Sequence, residues 1–170
     1  MLMSLYEASV PVFTKFLRNL DKWLDKAEAH AKSKNFDTSV FLSARLAPDQ
    51  FAFVRQVHIA TDSSKLGAAR IAGKQAPAFE DKETTLAELK ERIAKTVAFL
   101  ETLKPSDFEG AGDRKVTLQG GKTAIARDHL FDHVLPTFFF HVTTAYAILR
   151  HNGVDLGKKD YLGPKREQEG

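Results

Sequence analysis

The sequence predicts an all-α fold, a four-helix bundle carrying one small β-hairpin between its third and fourth long helices. Four segments place apolar residues at alternating steps of three and four, the period of a helix with one buried face. Between the third and fourth of these, Gly120-Gly121 separates two short pieces in the manner of a tight hairpin. At 170 residues, 43% of them hydrophobic, the chain is long enough to bury one core, and with no cysteine it has no disulfide to rely on instead.

The first helix is carried by Tyr6, Val10, Phe13, Leu17, Leu20, Leu24 and Ala27. Two starts fit it. Ser4 and Glu7 can form a capping box, with Pro11 then kinking the helix, or Ser9 caps it and Pro11 lies in its first turn. Phe16 and Trp23 add a second apolar line, wide enough to meet two neighbours or a partner subunit in a homodimer. A brief helix is expected over Thr38 to Leu46. Pro48, at a favoured first-turn position, then opens the second long helix. Its buried line is Phe53, Val57, Ala60, Ser64, Ala68 and Ile71, and it runs to about Ala72, before Gly73. Gly73 to Asp81 reads as a loop. Thr85-Leu86-Ala87-Glu88 is a capping box for the third helix, which presents Leu86, Leu89, Ile93, Val97, Leu100 and Leu103 to the core and charges such as Glu91 and Arg92 elsewhere. It ends before Pro105. Lys115 to Leu118 and Lys122 to Ile125 form the hairpin, leaning on the bundle because two strands alone are marginal. The last helix spans about Arg127 to Asn152, kinked by Pro136 and capped by Gly153. Residues 1–163 form a single domain, and residues 164–170 a solvated tail.

Charge and composition exclude several function classes. The net charge is +3, and the excess gathers in Lys158, Lys159, Lys165 and Arg166 rather than along a helix face, so no nucleic-acid surface is expected. Phe138 to Leu149 is too short and too polar to span a membrane. The first residues lack a signal peptide's basic and apolar regions, so a cytoplasmic location is expected. Gly121-Lys122-Thr123 imitates the end of a phosphate-binding loop, but Val116 stands where its first glycine belongs. Neither a Gly-x-Ser-x-Gly elbow nor an isolated carboxylate pair is present.

The string from His141 to Val154, with Leu149-Arg150-His151-Asn152-Gly153 inside it, resembles the final helix of the DinB/YfiT-like superfamily of metal-dependent four-helix bundles. Ser4 to Phe13, Ala44 to Asp49, Phe140 to Tyr146 and Asp160-Tyr161-Leu162-Gly163 are similar to an uncharacterised DinB-like family, over nearly the whole chain. The superfamily resemblance implies a metal held by three histidines, one on the second helix and two spaced by four on the last, with a position open for water or substrate. It also implies hydrolase or thiol-dependent transferase chemistry. His141 matches the second of the paired histidines, and Thr137 occupies the position four earlier. The altered set is therefore His58, His133 and His141, suited to a divalent ion such as Zn²⁺, Ni²⁺ or Mn²⁺. A small-molecule pocket is expected around His141, Tyr146, Asp62, Arg45 and Asp49.

Plainer readings stand beside these. His58 lies at helical spacing from Arg55, Asp62 and Lys65, as on a solvated face. His141 fits a buried histidine bonded to a neighbour. Arg45 and Asp49 fit ion pairs fixing the bend before Pro48. His129 and His133 form an i, i+4 pair, and His30 and His151 suit helix C-termini.

Overall fold

The structure is a computed structural model and describes residues 3–165. The tail reading therefore lies largely outside the described residues.

Helix α1 (Leu5–Lys34) settles the open choice at its start. The Ser4 hydroxyl accepts from the Glu7 amide at 3.1 Å, the Glu7 carboxylate accepts from the Ser4 amide at 2.9 Å, and Pro11 lies inside the helix. After α2 (Ser39–Ser43), residues 48–49 form a turn, and α3 (Phe53–Ala72) begins five residues later than Pro48 predicts. Pro48 serves a different purpose, as second residue of a turn closed by Gln50 N–H to Ala47 C=O at 3.1 Å. Helix α4 (Leu86–Thr102) has the expected Thr85/Glu88 box.

The hairpin pairs β1 (Lys115–Thr117) with β2 (Thr123–Ile125), Val116 facing Ala124. Gly120 and Gly121 turn the chain at φ 79° and 78°, a region that side chains disfavour.

The last helical region is three pieces rather than one kinked helix. Helix α5 (Ala126–His129) passes into a π-helical turn at Leu130–Val134, and α6 (Leu135–His151) follows with Pro136 in its first turn. Pro136 has no N–H for the α-helical ladder. The widened turn absorbs that gap, with the Leu135 N–H reaching Leu130 C=O. Gly153 ends the helix at φ 88° as expected, and the Val154 N–H bonds back to Leu149 C=O at 3.1 Å.

The four long helices α1, α3, α4 and α6 form the bundle, with α3 packed on α6 and α1 on α4. Phe13, Leu17, Phe53, Val57, Leu89, Phe138 and Leu149 lie at its centre with no exposed surface. Gly67 lets α3 approach the π-turn closely: a Cβ there would overlap the γ-methyls of Val134. In an open helical site Gly→Ala gains about 1 kcal/mol of helix propensity. Here Gly67→Ala is expected to lose about 1–2 kcal/mol instead, because overpacking outweighs propensity. Urea denaturation at pH 7 gives the sign directly.

The second apolar line of α1 is used within the chain. Helix α7 (Lys158–Leu162) lies on it: Trp23 Nε1 donates to Asp160 C=O at 3.1 Å, and Trp23 stacks on Tyr161 at 5.8 Å. Phe16 meets Phe139 at 5.0 Å and Tyr161 at 5.2 Å. Trp23 is 1% exposed and Phe16 half-buried, so the protein's own last helix packs on the face that suggested a homodimer. No helix among the described residues is long and apolar enough to cross a membrane.

Candidate functional site

The residues singled out in the sequence separate into five places. Arg45 and Asp49 stay at the surface of the loop before α3, Arg45 donating to Pro48 C=O at 3.4 Å. Tyr146 joins the aromatic cluster under α7, 5.6 Å from Trp23 and 5.7 Å from Tyr161. Five residues along a helix turn about 140°, so Tyr146 and His141 cannot share a wall. The pocket expected to unite these residues with His141 is not formed that way.

His141 is buried on α6 against α3. Its Nδ1 lies 2.6 Å from Gln56 Oε1, and because a carbonyl oxygen only accepts, Nδ1 carries the proton. Gln56 is oriented in turn by its Nε2, which donates to Phe51 C=O at 2.9 Å. Burial, with a further push from the Arg55 guanidinium, depresses the His141 pKa to about 4. The reading of His141 as a buried histidine bonded to a neighbour describes this arrangement.

His58, on α3, is 4% exposed rather than on a solvated face. The segment between Gly73 and Thr84 covers it. Glu83 Oε2 comes to 2.8 Å from His58 Nε2, but both atoms are buried without a properly aligned hydrogen bond. Burial and the nearby Arg92 push the His58 pKa down, against the pull of Asp81 and Glu83. Around it lies a charged cluster. Arg92, 2% exposed, donates to Thr61 Oγ1 at 2.8 Å, Asp62 Oδ1 at 3.0 Å and Glu83 Oε1 at 3.1 Å, and its Nη2 also lies 3.0 Å from Asp81. Lys65, also 2% exposed, pairs with Asp62.

His133 lies elsewhere, on the π-turn. It stacks on His129, ring centroids 5.5 Å apart and planes 14° from parallel. Both line a cleft of about 590 Å³ between α3, the hairpin and the π-turn, with Asp62, Arg70 and Thr137 among its other polar walls and Ile59 and Leu66 among its apolar ones. His129 is buried and its Nε2 has no hydrogen-bond partner. Burial first, then His133 and Arg70, lower its pKa.

These positions test the metal centre that the resemblance implies. His58 faces Glu83, His141 is tied to Gln56, and His133 turns to His129. Among the described residues no group of three or more His, Asp or Glu is arranged to hold a metal ion. The set His58, His133 and His141 is not assembled, and its donors do not fit a three-histidine site. Sequence reasoning missed Arg92 and Lys65 as buried groups. The signal was present for Arg92, because Leu89, Arg92 and Thr96 follow the i, i+3, i+7 spacing of a core stripe, and Thr96 is fully buried.

Comparison with known proteins agrees with the fold and is silent on activity. No curated protein matches the chain. A solved structure described as a DinB family member protein from Shewanella denitrificans is similar to it at 45% identity, with a TM-score of 0.92, over 98% of this chain and 96% of that one. Residues 5–162 match the model of a family described as a domain of unknown function, DUF1993. That match spans almost the whole bundle, and the chain belongs to the DUF1993 family, with the fold of a DinB-like protein.

Proposed function

We propose that this protein is a small-molecule-binding DinB-like bundle, whose site is the cleft of about 590 Å³ between α3 and the π-turn, and whose ancestral three-histidine centre has been altered beyond metal binding. The observation that carries the reading is the stacked His129/His133 pair on the wall of that cleft, with a buried His129 nitrogen lacking a partner. Small-ligand sites combine apolar walls with convergent polar groups, and this cleft sets Ile59, Leu66 and Leu118 beside Asp62, Arg70 and the two histidines. Asp62 and His133, both singled out in the sequence, face this space together with Thr137. π-Turns recur at functional positions in helices because the extra residue redirects side chains. A neutral imidazole can donate from one nitrogen and accept at the other, which suits recognition of a polar ligand group.

The test is a fragment screen followed by the imidazole signals in ¹H–¹³C NMR spectra. Binding fragments are expected to shift the His129 and His133 signals, and Thr137→Trp, which fills the cleft, is expected to abolish those shifts. Fragments at millimolar concentration that leave both imidazoles unmoved sink the proposal. The altered centre has its own readout. Tag-free protein incubated with Zn²⁺, Ni²⁺ or Mn²⁺ is expected to retain no stoichiometric metal that His141→Ala removes, as measured by elemental mass spectrometry.

A further inference from the structure

Between the end of α3 and the start of α4, residues 74–83 cross the bundle without regular structure. The segment is bounded by Gly73 at φ 68° and by the Thr84 and Thr85 contacts to Glu88. Its attachments beyond these bounds are mainly side chains. The Phe79 ring centroid lies 4.2 Å from Lys65 Nζ and 5.3 Å from Arg92 Cζ, in contact with two cations. Asp81 pairs with Arg55 and Arg92, and Glu83 with Arg92. Two backbone groups take part: the Lys74 N–H, which donates to Ala69 C=O at 2.9 Å at the segment's start, and the Glu80 carbonyl, which accepts from Arg92 Nη1 at 3.2 Å.

The charges divide unevenly between bundle and segment. The bundle supplies Arg55, Lys65 and Arg92 to this cluster and a single carboxylate, Asp62. The segment supplies the two carboxylates that restore balance, Asp81 and Glu83. Without them, two positive charges would be left over among Arg92 and Lys65, each 2% exposed, and Arg55, whose side chain is 44% exposed. The match is good for charge and imperfect for geometry, because Glu83 Oε2 and His58 Nε2 meet at 2.8 Å without aligning. Alongside, a cleft of about 430 Å³ opens between Phe79 and α4, with Arg92 in its wall beside Glu80, Glu83, Glu88 and Glu91, so Arg92 is reached from solvent past other carboxylates.

We infer that residues 74–83 are a displaceable strap, and that Asp81 and Glu83 hold the places of the two carboxylates of a small dicarboxylate ligand bound by Arg92, Arg55 and Lys65. Two carboxylates borne two residues apart on one segment mimic a short diacid, and paired guanidinium groups are the usual recognisers of carboxylates. The strap thus competes with its ligand. This inference stands independently of the His133 cleft: Asp62 borders both sites, but the strap residues tested below do not line that cleft.

The experiment uses glutarate as the probe, glutaramide as its neutral counterpart, and the full chain. In the double variant Asp81→Asn/Glu83→Gln, glutarate affinity by calorimetry is expected to rise at least tenfold over the unsubstituted protein, while glutaramide binds neither. In the unsubstituted protein, saturating glutarate is expected to raise hydrogen exchange of the amides in 74–83 severalfold and leave those of α3 and α4 unchanged. Phe79→Ala removes the strap's anchor and none of its charges, and is expected to strengthen glutarate binding too, which keeps the test alive if the double variant does not fold. A folded variant with no gain in glutarate affinity overturns the inference. So does an equal rise in strap exchange with sodium chloride at matched ionic strength, which would reduce the strap to a salt-screened clasp.

Discussion

Replacing Arg92 by Met is expected to lower the unfolding free energy by about 3–5 kcal/mol at pH 7, the range found when one partner of a buried ion pair is removed. The guanidinium is 2% exposed and lies within 3.1 Å of Asp62, Asp81 and Glu83. Met keeps most of the volume, so the loss reports charge rather than a cavity. Without Arg92 the three carboxylates are left with Lys65, a half-exposed Arg55 paired to Asp81, and a His58 whose protonation burial opposes. Pairing Arg92→Met with Asp62→Asn and Glu83→Gln is expected to return part of the loss, since it is the uncompensated charge that costs most. Urea denaturation of the three proteins decides it. A loss below about 1 kcal/mol for Arg92→Met would place the cluster in water, where ion pairs contribute little.

How much of this was legible in the sequence depends on the range of the interaction that decides it. The four long helices, the Thr85/Glu88 capping box and the glycine hairpin rest on contacts within a few residues, and each is found, while the Ser4/Glu7 box is one of two starts the sequence leaves open. Helix α3 starts late because Pro48 fits a turn as well as a helix start, and only the tertiary placement of Phe53, fully buried with its N–H on Ala44 C=O at 2.8 Å, chooses between them. In the sequence Pro136 reads as a kink and not as a π-turn, since a proline announces a missing donor without saying how the ladder closes around it. The site was less legible still. Gln56 and His141 are 85 residues apart, Arg92 and Thr61 31 apart. Nothing in the spacing of either residue names its partner. Trp23 illustrates the same gap in reverse: its apolar line was plain, but that α7 returns to cover it depends on a turn more than a hundred residues downstream.

The unfolding free energy is expected to fall by roughly 3 kcal/mol between pH 7 and pH 4 on account of His141 alone. The sign follows from where the protons go. In the folded protein His141 titrates near 4, and unfolding exposes it to water, where histidine titrates near 6.5. Between those values the unfolded chain binds a proton that the folded one refuses, so stability is complete above about pH 6.5 and drains away as pH falls toward 4. Each pH unit in that window is worth about 1.4 kcal/mol per proton. Residual solvent contact makes roughly 3 kcal/mol the upper end. The lowered pKa values of His58 and His129 act in the same direction and steepen the loss. His141→Gln separates the contributions: it removes one titrating group, and the slope of stability against pH is expected to become shallower by about one proton while those of His58 and His129 persist. An NMR titration reads the group itself. If the His141 ring hydrogens move with a midpoint near pH 6.5, the imidazole is wet and the Gln56 bond does not hold it. If they stay still until below pH 5, His141 is neutral at ordinary pH with its proton fixed on Nδ1. Its Nε2 is then an acceptor at every pH where the protein is stable, so any ligand group this end of the bundle takes must bring the hydrogen.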